Sequence, residues 1–153
     1  MSPRTLFRTF AIAEAITWTL LLIGMFLKYV TKTTDVAVSI GGGIHGFVFL
    51  CYAVVASFVW LNQKWPARVG AVALIATVIP YATVPVERRL DRNGMLDGGW
   101  RLGAGGEQPR GVLEKVQAWV LRKPLVAGAT ALVAVAVVFG VLLVAGPPGT
   151  WFA

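Results

Sequence analysis

The sequence predicts an all-α fold, a polytopic membrane helical bundle with a three-helix core and a C-terminal fourth transmembrane helix. Two observations predict it. The chain of 153 residues is 57% hydrophobic and only 14% charged, whereas a soluble domain carries about 25% charged residues. Four apolar stretches, 7–29, 36–61, 69–86 and 125–145, reach or approach the ~20 residues that a helix needs to cross the hydrocarbon layer.

Each stretch has features of its own. The first is expected to be a retained span and not a signal peptide, because Glu14 interrupts it and no small-residue cleavage site precedes a polar region. Short connections after the first and second stretches predict antiparallel neighbours. Pro80 and Pro85 each remove a backbone hydrogen bond, so we expect a kink or early unwinding in the third helix. The fourth stretch is expected to be a plain anchor.

The region between the third and fourth stretches changes character. Residues 87–110 are rich in charge and glycine and predict a mobile, solvent-exposed loop. Residues 111–122 have the spacing of a short amphipathic helix, which either lies on the membrane surface or forms the leading end of the fourth span. The expected organisation is therefore a core over 1–92, a basic loop with an interfacial helix over 93–124, and a transmembrane helix with a tail over 125–153.

The net charge of +7 indicates how the chain is oriented in the membrane more than it indicates a binding partner. The basic residues stand mostly between apolar segments, where interaction with anionic lipid headgroups explains them better than binding to nucleic acid. With four crossing helices, the Lys and Arg residues are denser on the side of the first and third connections. The positive-inside rule then favours both termini outside and the loop 87–124 in the cytoplasm.

Several polar residues inside the apolar stretches need partners, because lipid offers none. An ionised Glu14 facing lipid would cost roughly 2.5 kcal/mol or more. Helical spacing gives each of the first three helices one polar face, and the simplest fold turns these faces toward each other. The predicted intramembrane polar pocket consists of Glu14, Trp18, Lys28, His45, Tyr52, Tyr81 and Glu87. Lys28 and Glu87 are expected near one membrane face, where they could pair.

Glycines mark a predicted packing surface on the second helix. Gly42 and Gly46 have the small-xxx-small spacing that allows a second helix backbone to approach closely. Replacing Gly46 by Leu is therefore expected to disrupt helix association.

The polar residues allow two interpretations that the sequence leaves open. Glu14 and His45 either titrate protons or bind a ligand, or the set joins helices through hydrogen bonds worth on the order of 0.6–2 kcal/mol each. No catalytic, cofactor or metal site is predicted. His45 and Cys51 are the only histidine and cysteine, too few for the usual zinc site.

The residues in the first three stretches resemble the YdzA-like integral membrane proteins of bacteria, a family catalogued as domain of unknown function 3817. The resemblance covers roughly 6–92. It is carried by these positions: Phe7-Arg8, Glu14-Ala15, Leu21-Leu22, Met25, Lys28-Tyr29, Gly43, His45-Gly46, Tyr52, Trp65, Pro80 and Glu87-Arg88. It implies a compact three-helix membrane domain of a bacterial cell membrane, without an established activity; the basic loop and fourth span depart from it.

These features favour a non-enzymatic accessory or oligomeric membrane subunit. Its expected partners are membrane lipids and either further copies of itself or a larger membrane protein, with no nucleic acid. The alternative is a small transporter, channel or ligand-binding protein that uses the pocket around Glu14 and His45. A lipid-modifying enzyme is disfavoured, because no pair of nucleophile and base is visible.

Overall fold

The protein is built entirely from helices over the part of the chain that the structure describes. A computed structural model describes residues 1–146. Its α-helices are α1 (Pro3–Met25), α2 (Val36–Gln63), α3 (Ala67–Ile75), α4 (Thr83–Arg92), α5 (Gly111–Arg122) and α6 (Pro124–Ala145). A π-helical turn, Phe26–Val30, extends α1, and a 3₁₀ turn, Ala76–Val78, extends α3. The predicted all-α membrane bundle is confirmed.

Three of the helical segments are long and apolar enough to cross a membrane. They are Pro3–Val30, Val36–Gln63 and Pro124–Ala145, whereas the apolar helix Ala67–Val78 is shorter. The chain is a membrane protein, and these segments correspond to the first, second and fourth predicted spans.

Helices α1 and α2 form an antiparallel pair, and two glycines set its closest approach. A Cβ added to Gly24 would lie 2.7 Å from the Cα of Val38, and one added to Gly41 would lie 2.9 Å from the carbonyl oxygen of Leu20. Side chains at these positions would therefore force the two backbones apart.

The predicted glycine pair does not make this contact. A Cβ on Gly42 would meet only the Leu21 side chain, at 3.7 Å, and one on Gly46 would meet the Phe139 ring of α6, at 3.2 Å. Within the described residues, therefore, the close crossing of α1 and α2 lies at Gly41, and Gly46 faces α6. Association of another chain at Gly42 and Gly46 stays a prediction.

The third predicted span is broken and folds back on itself. Proline biases the preceding residue toward extended backbone, and Ile79 is extended, with φ −103° and ψ 121°. Tyr81 then takes a left-handed φ of 64°, and α4 starts at Thr83. The unwinding expected at Pro80 is confirmed, but the chain also reverses there, and Pro85 falls within the first turn of α4.

The reversal makes α3 and α4 a re-entrant hairpin. Helix α3 begins beside the end of α2, and the far end of α4 returns to the start of α1, where Arg8 bonds to Glu87 at 2.8 Å and to Asp91 at 2.7 Å. Irregular backbone at membrane depth is tolerated only where protein or a wet cavity surrounds it. We call the end of the bundle where α1 begins and α4 ends the basic end.

The reversal corrects the predicted topology. The indole Nε1 of Trp100 donates to the carbonyl oxygen of Met1 at 2.7 Å, and Arg4 lies 3.6 Å from Asp97. The start of α1 and the loop after α4 therefore lie at the same end of the bundle. Four crossing helices would have separated them, so the expectation of an N-terminus opposite the long loop is wrong.

The loop after α4 is shorter and better anchored than the sequence suggests. Residues 87–92 belong to α4, and the loop packs Leu96 and Leu102 at 0% exposure. Asn62, near the end of α2, accepts a bond from the backbone N–H of Arg101 at 2.9 Å, and the Arg101 guanidinium bonds to the carbonyl oxygen of Asn62 at 3.1 Å. These contacts hold the loop against the end of α2.

Helix α5 begins and ends where the amphipathic pattern predicts, and a break at Lys123 separates it from α6. Its apolar residues point outward, with Val112 and Leu113 at 76% and 65% exposure, while Gln117 is buried and donates to the carbonyl oxygen of Phe58 at 2.9 Å. This arrangement agrees better with a helix at the membrane surface than with the leading end of the span.

Candidate functional site: a buried polar cluster

Glu14 of α1 is the centre of a polar cluster at the turn of the re-entrant hairpin. Its side chain is fully buried. One carboxylate oxygen accepts from the Thr77 hydroxyl at 3.1 Å and the other from the Thr83 hydroxyl at 2.8 Å. Thr77 lies in the 3₁₀ turn that extends α3, and Thr83 is the first residue of α4, so one carboxylate joins both limbs of the hairpin to α1.

Trp18 and Thr17, one helical turn further along α1, extend the cluster in two directions. The indole Nε1 of Trp18 donates to the carbonyl oxygen of Thr77 at 3.3 Å. Thr17 Oγ1 lies 3.1 Å from Nδ1 of His45 and also donates to the carbonyl oxygen of Glu14 at 2.9 Å. The His45 ring packs on Trp18, with centroids 4.4 Å apart. The histidine is therefore linked to the carboxylate residue through Thr17.

Tyr52 and Glu87 are buried nearer the basic end. The Tyr52 hydroxyl donates to the carbonyl oxygen of Ala73 at 3.0 Å, which ties α2 to α3. Glu87 of α4 pairs with Arg8 of α1, which also pairs with Asp91. The carboxylate of Asp91 bonds to Arg4 as well, and this bond together with Arg8 lowers the pKa of Asp91 below its ordinary value. These ion pairs hold the C-terminal end of α4 against the start of α1.

Two predicted residues lie away from the cluster. Lys28 is in the π-helical turn, 3.6 Å from Asp35 and about 21 Å along the helix from Glu14. Its expected pairing with Glu87 is wrong, because Glu87 binds Arg8 at the other end of α1. Tyr81 occupies the turn, is 44% exposed, and its hydroxyl lies 3.2 Å from that of Thr19.

The fold thus brings Glu14, Trp18 and His45 together in one cluster. Tyr52 and Glu87 lie in the same bundle, but they form hydrogen bonds and ion pairs outside this cluster. The predicted pocket did not include the three threonines, Thr17, Thr77 and Thr83, that supply most of the cluster's hydrogen bonds. Of these, Thr83 shares the polar stripe of the third stretch with Pro80 and Glu87, whereas no sequence pattern pointed to Thr17 or Thr77.

The cluster lies apart from two cavities of the molecule. Two cavities, of about 480 and 640 Å³, lie along α6, and none of the cluster residues lines either of them. Within residues 1–146 no group of three His, Cys, Asp or Glu side chains is placed to hold a metal ion. The arrangement fixes both limbs of the hairpin to α1 through hydrogen bonds.

Comparisons with known proteins agree with the fold. The chain is 41% identical over 91 residues to SCO5905 of Streptomyces coelicolor, which is named as a membrane protein; the match covers 59% of this chain and 11% of that one. It is 35% identical over 71 residues to the uncharacterized membrane protein YdzA of Bacillus subtilis, covering 46% of this chain and 73% of YdzA. This chain therefore spans only about a tenth of the first relative and nearly three quarters of the second.

No solved structure matches the chain. The model of the family described as domain of unknown function (DUF3817) matches residues 4–92, which begin just inside α1 and end with α4. The matched region contains the paired helices, the re-entrant hairpin and the whole Glu14 cluster, and it covers more than half of the chain. The chain belongs to the DUF3817 family.

Proposed function

We propose that the protein is a non-enzymatic accessory subunit of the bacterial cell membrane, whose family core binds a larger membrane protein. One observation carries the proposal. Both oxygens of the Glu14 carboxylate accept bonds from threonines of the hairpin, and Glu14 is fully buried. The ionisable group that the sequence singled out as a candidate for proton transfer or ligand binding thus stabilises the fold. This supports a structural role for the family core.

The relatives support a partner of this kind. In the Streptomyces relative the matched segment makes up 11% of a much longer chain. A membrane module that is fused to further sequence in one protein is suited, when it occurs in a short chain, to act beside a separate partner protein. The partner is proposed to contact the lipid-facing surface of the core, where α1 exposes a stripe consisting of Ile12, Ile16, Leu20 and Ile23.

The proposal includes an orientation. Of the 14 Lys and Arg residues, all except Lys28 and Lys32 lie at the basic end or in the loop and helix that pack there. Since cytoplasmic loops carry the excess of Lys and Arg, the start of α1, both ends of the re-entrant hairpin and the loop 93–110 face the cytoplasm.

A cysteine at Gly105, in a chain with Cys51→Ala, is expected to react with membrane-impermeant maleimide only after the cells are opened. A cysteine at Thr33 reacts in intact cells.

Photo-crosslinking tests the accessory role. A photoreactive residue replaces Ile16 on the core, or Val137 on α6, where the side chain is 59% exposed. The chain is expressed at its natural level, and the crosslinked products are identified by mass spectrometry. We expect Ile16 to give one dominant product with a larger membrane protein and Val137 to give mainly lipid adducts. If both positions yield only lipid adducts or homodimers, the chain has no such partner.

A second candidate, a small transporter or channel, is favoured by the hairpin turn. Secondary transporters bind substrates and coupling ions near breaks in membrane helices, often beside ionisable residues. Here Glu14 stands beside such a break. The test is a pH-dependent flux in proteoliposomes that disappears in Glu14→Gln while the variant stays folded. An unaltered flux, or none in the unmodified protein, leaves the accessory role.

A further inference from the structure

The second cavity, of about 640 Å³, has the form of a site for a lipid chain. It lies between α1, α2 and α6 and falls within the 300–1,000 Å³ range of ligand sites in proteins. Its walls are apolar, and six of the lining residues are Leu6, Phe10, Val55, Phe58, Ala131 and Val135. At its outer edge Val54 and Leu132 are 47% and 56% exposed. The cavity therefore opens sideways, in the direction of the bilayer.

The depth of the cavity matches one leaflet. The residues of α6 that line it begin at Pro124 and end at Val135, a distance of about 17 Å at ~1.5 Å per residue. Half of a hydrocarbon layer is about 15 Å thick. The cavity starts at the basic end, where Trp100 and Leu121 line it, and it stops near the middle of the membrane. A single acyl chain with its headgroup at the basic end would have this reach.

Two cations lie at the basic end of the cavity. Arg122 and Lys123 stand between the lining residues Leu121 and Pro124, and both are exposed. No carboxylate of residues 1–146 lies within 4 Å of either cation, whereas Arg101 is fully engaged with Glu107 and Glu114. Cations at the basic end of an apolar cavity, without a carboxylate partner among the described residues, complement a phosphate group that has no compensating positive charge.

We propose that this cavity binds one acyl chain of an anionic phospholipid, whose headgroup phosphate pairs with Arg122 and Lys123. The lipid fills the space between α6 and α1, which touch little otherwise. It thereby fastens the C-terminal span to the family core. The site lies outside the Glu14 cluster and does not depend on the accessory role.

Native mass spectrometry of the full chain tests the site. The protein is placed in nanodiscs that contain equal amounts of phosphatidylglycerol and phosphatidylcholine with identical chains, and the retained lipid is counted after release. We expect one phosphatidylglycerol per chain. Arg122→Gln and Lys123→Gln are each expected to weaken its retention about fivefold, and Lys32→Gln, at the opposite end, to leave it unchanged. Equal retention of both lipids, or a dimer without lipid, would overturn the proposal.

A matched pair of substitutions tests the cavity itself. Gly128 lines the cavity and Gly140 does not, and a Cβ at either position meets nothing within 4 Å. Gly128→Phe is expected to fill the cavity and abolish lipid retention, while Gly140→Phe retains the lipid. Ala131→Leu, a smaller filler on the same wall, serves where Gly128→Phe does not fold. Retention that is the same in the filling variants and in Gly140→Phe would place the lipid elsewhere.

Discussion

The family core and the C-terminal helix bury apolar surface in the same membrane, but different contacts hold them. In the core, hydrogen bonds inside the bundle join α1 to both limbs of the hairpin through Glu14, and α2 to α3 through Tyr52. In α6, the hydroxyl of Thr130 bonds only to its own helix, and the helix meets α2 through apolar contacts such as the rings of Phe47 and Phe139, 5.9 Å apart.

The difference follows from the interactions that stabilise helix packing in lipid. Two apolar helices gain little by leaving lipid for each other, because lipid tails are as apolar as their side chains. A polar bond or a close backbone approach is needed to define one arrangement. The core has both, whereas only Ala127 and Val135 of α6 are buried. We infer that the core has a single defined packing and that α6 depends on what fills the space around it.

The largest expected effect is that of removing the Glu14 carboxylate. Glu14→Ala leaves the buried hydroxyl of Thr77 without its acceptor, leaves that of Thr83 only the carbonyl oxygen of Ala11, and opens a cavity, so we expect a loss of about 2–4 kcal/mol in the free energy of unfolding. Glu14→Gln keeps one acceptor oxygen and the side-chain volume and is expected to lose less than half as much. Unfolding of the core in detergent measures both, and equal losses would contradict the bonding scheme.

The next effect concerns the approach of α1 and α2. A Cβ at Gly41 would lie 2.9 Å from the Leu20 carbonyl oxygen, so Gly41→Ala is expected to cost about 1–3 kcal/mol. Gly43→Ala is the matched control, since its Cβ would meet nothing within 4 Å; it is expected to be neutral or to stabilise by up to about 1 kcal/mol. A comparable melting temperature for the two variants would show that the crossing is not set at Gly41.

The helices themselves could be read from the sequence, because each depends on local pattern. The second apolar stretch, 36–61, corresponds to Val36–Gln63, and the amphipathic spacing of 111–122 matches α5 at both ends. The energetic cost of polar groups in lipid likewise identified Glu14 and His45, which do come together through Thr17. Both kinds of inference use only the residue and its neighbours along the chain.

The reversal of the third stretch could not be read in this way. Its hydropathy continues through Pro80, and a proline signals a break without giving the direction that follows. The direction depends on bonds between residues distant in sequence, from Thr77 and Thr83 to Glu14 and from Arg8 to Glu87. Lys28 was misplaced for a related reason, since a shared helical stripe does not give its distance along the helix.

A substitution on the seam between the two regions is expected to act on α6 alone. In Gly46→Leu the new side chain meets the ring of Phe139, which a Cβ alone would approach to 3.2 Å. We expect the core to lose less than about 0.5 kcal/mol, because no polar bond of the core is affected. Trypsin is expected to cleave faster after Arg122, at the start of α6. A large fall in core stability would mean that α6 belongs to the same cooperative unit.

The smallest expected effect is a dependence on pH that belongs to the basic end of the core. Arg4, through its hydrogen bond, and then Arg8 lower the pKa of the Asp91 carboxyl. A group whose pKa is lower in the folded protein stabilises the fold above its unfolded pKa, about 3.9, and this contribution is lost as the pH falls through the folded value. The melting temperature is therefore expected to fall modestly below about pH 4, and less steeply in Asp91→Asn, which starts lower at neutral pH. The ion pairs lie at the basic end, so acid is expected to loosen α4 from α1 there first, while the Glu14 bonds keep the turn of the hairpin in place. Hydrogen exchange measured as the pH is lowered should therefore rise near Asp91 before it rises at the turn. Exchange that rises first at the turn would contradict this prediction.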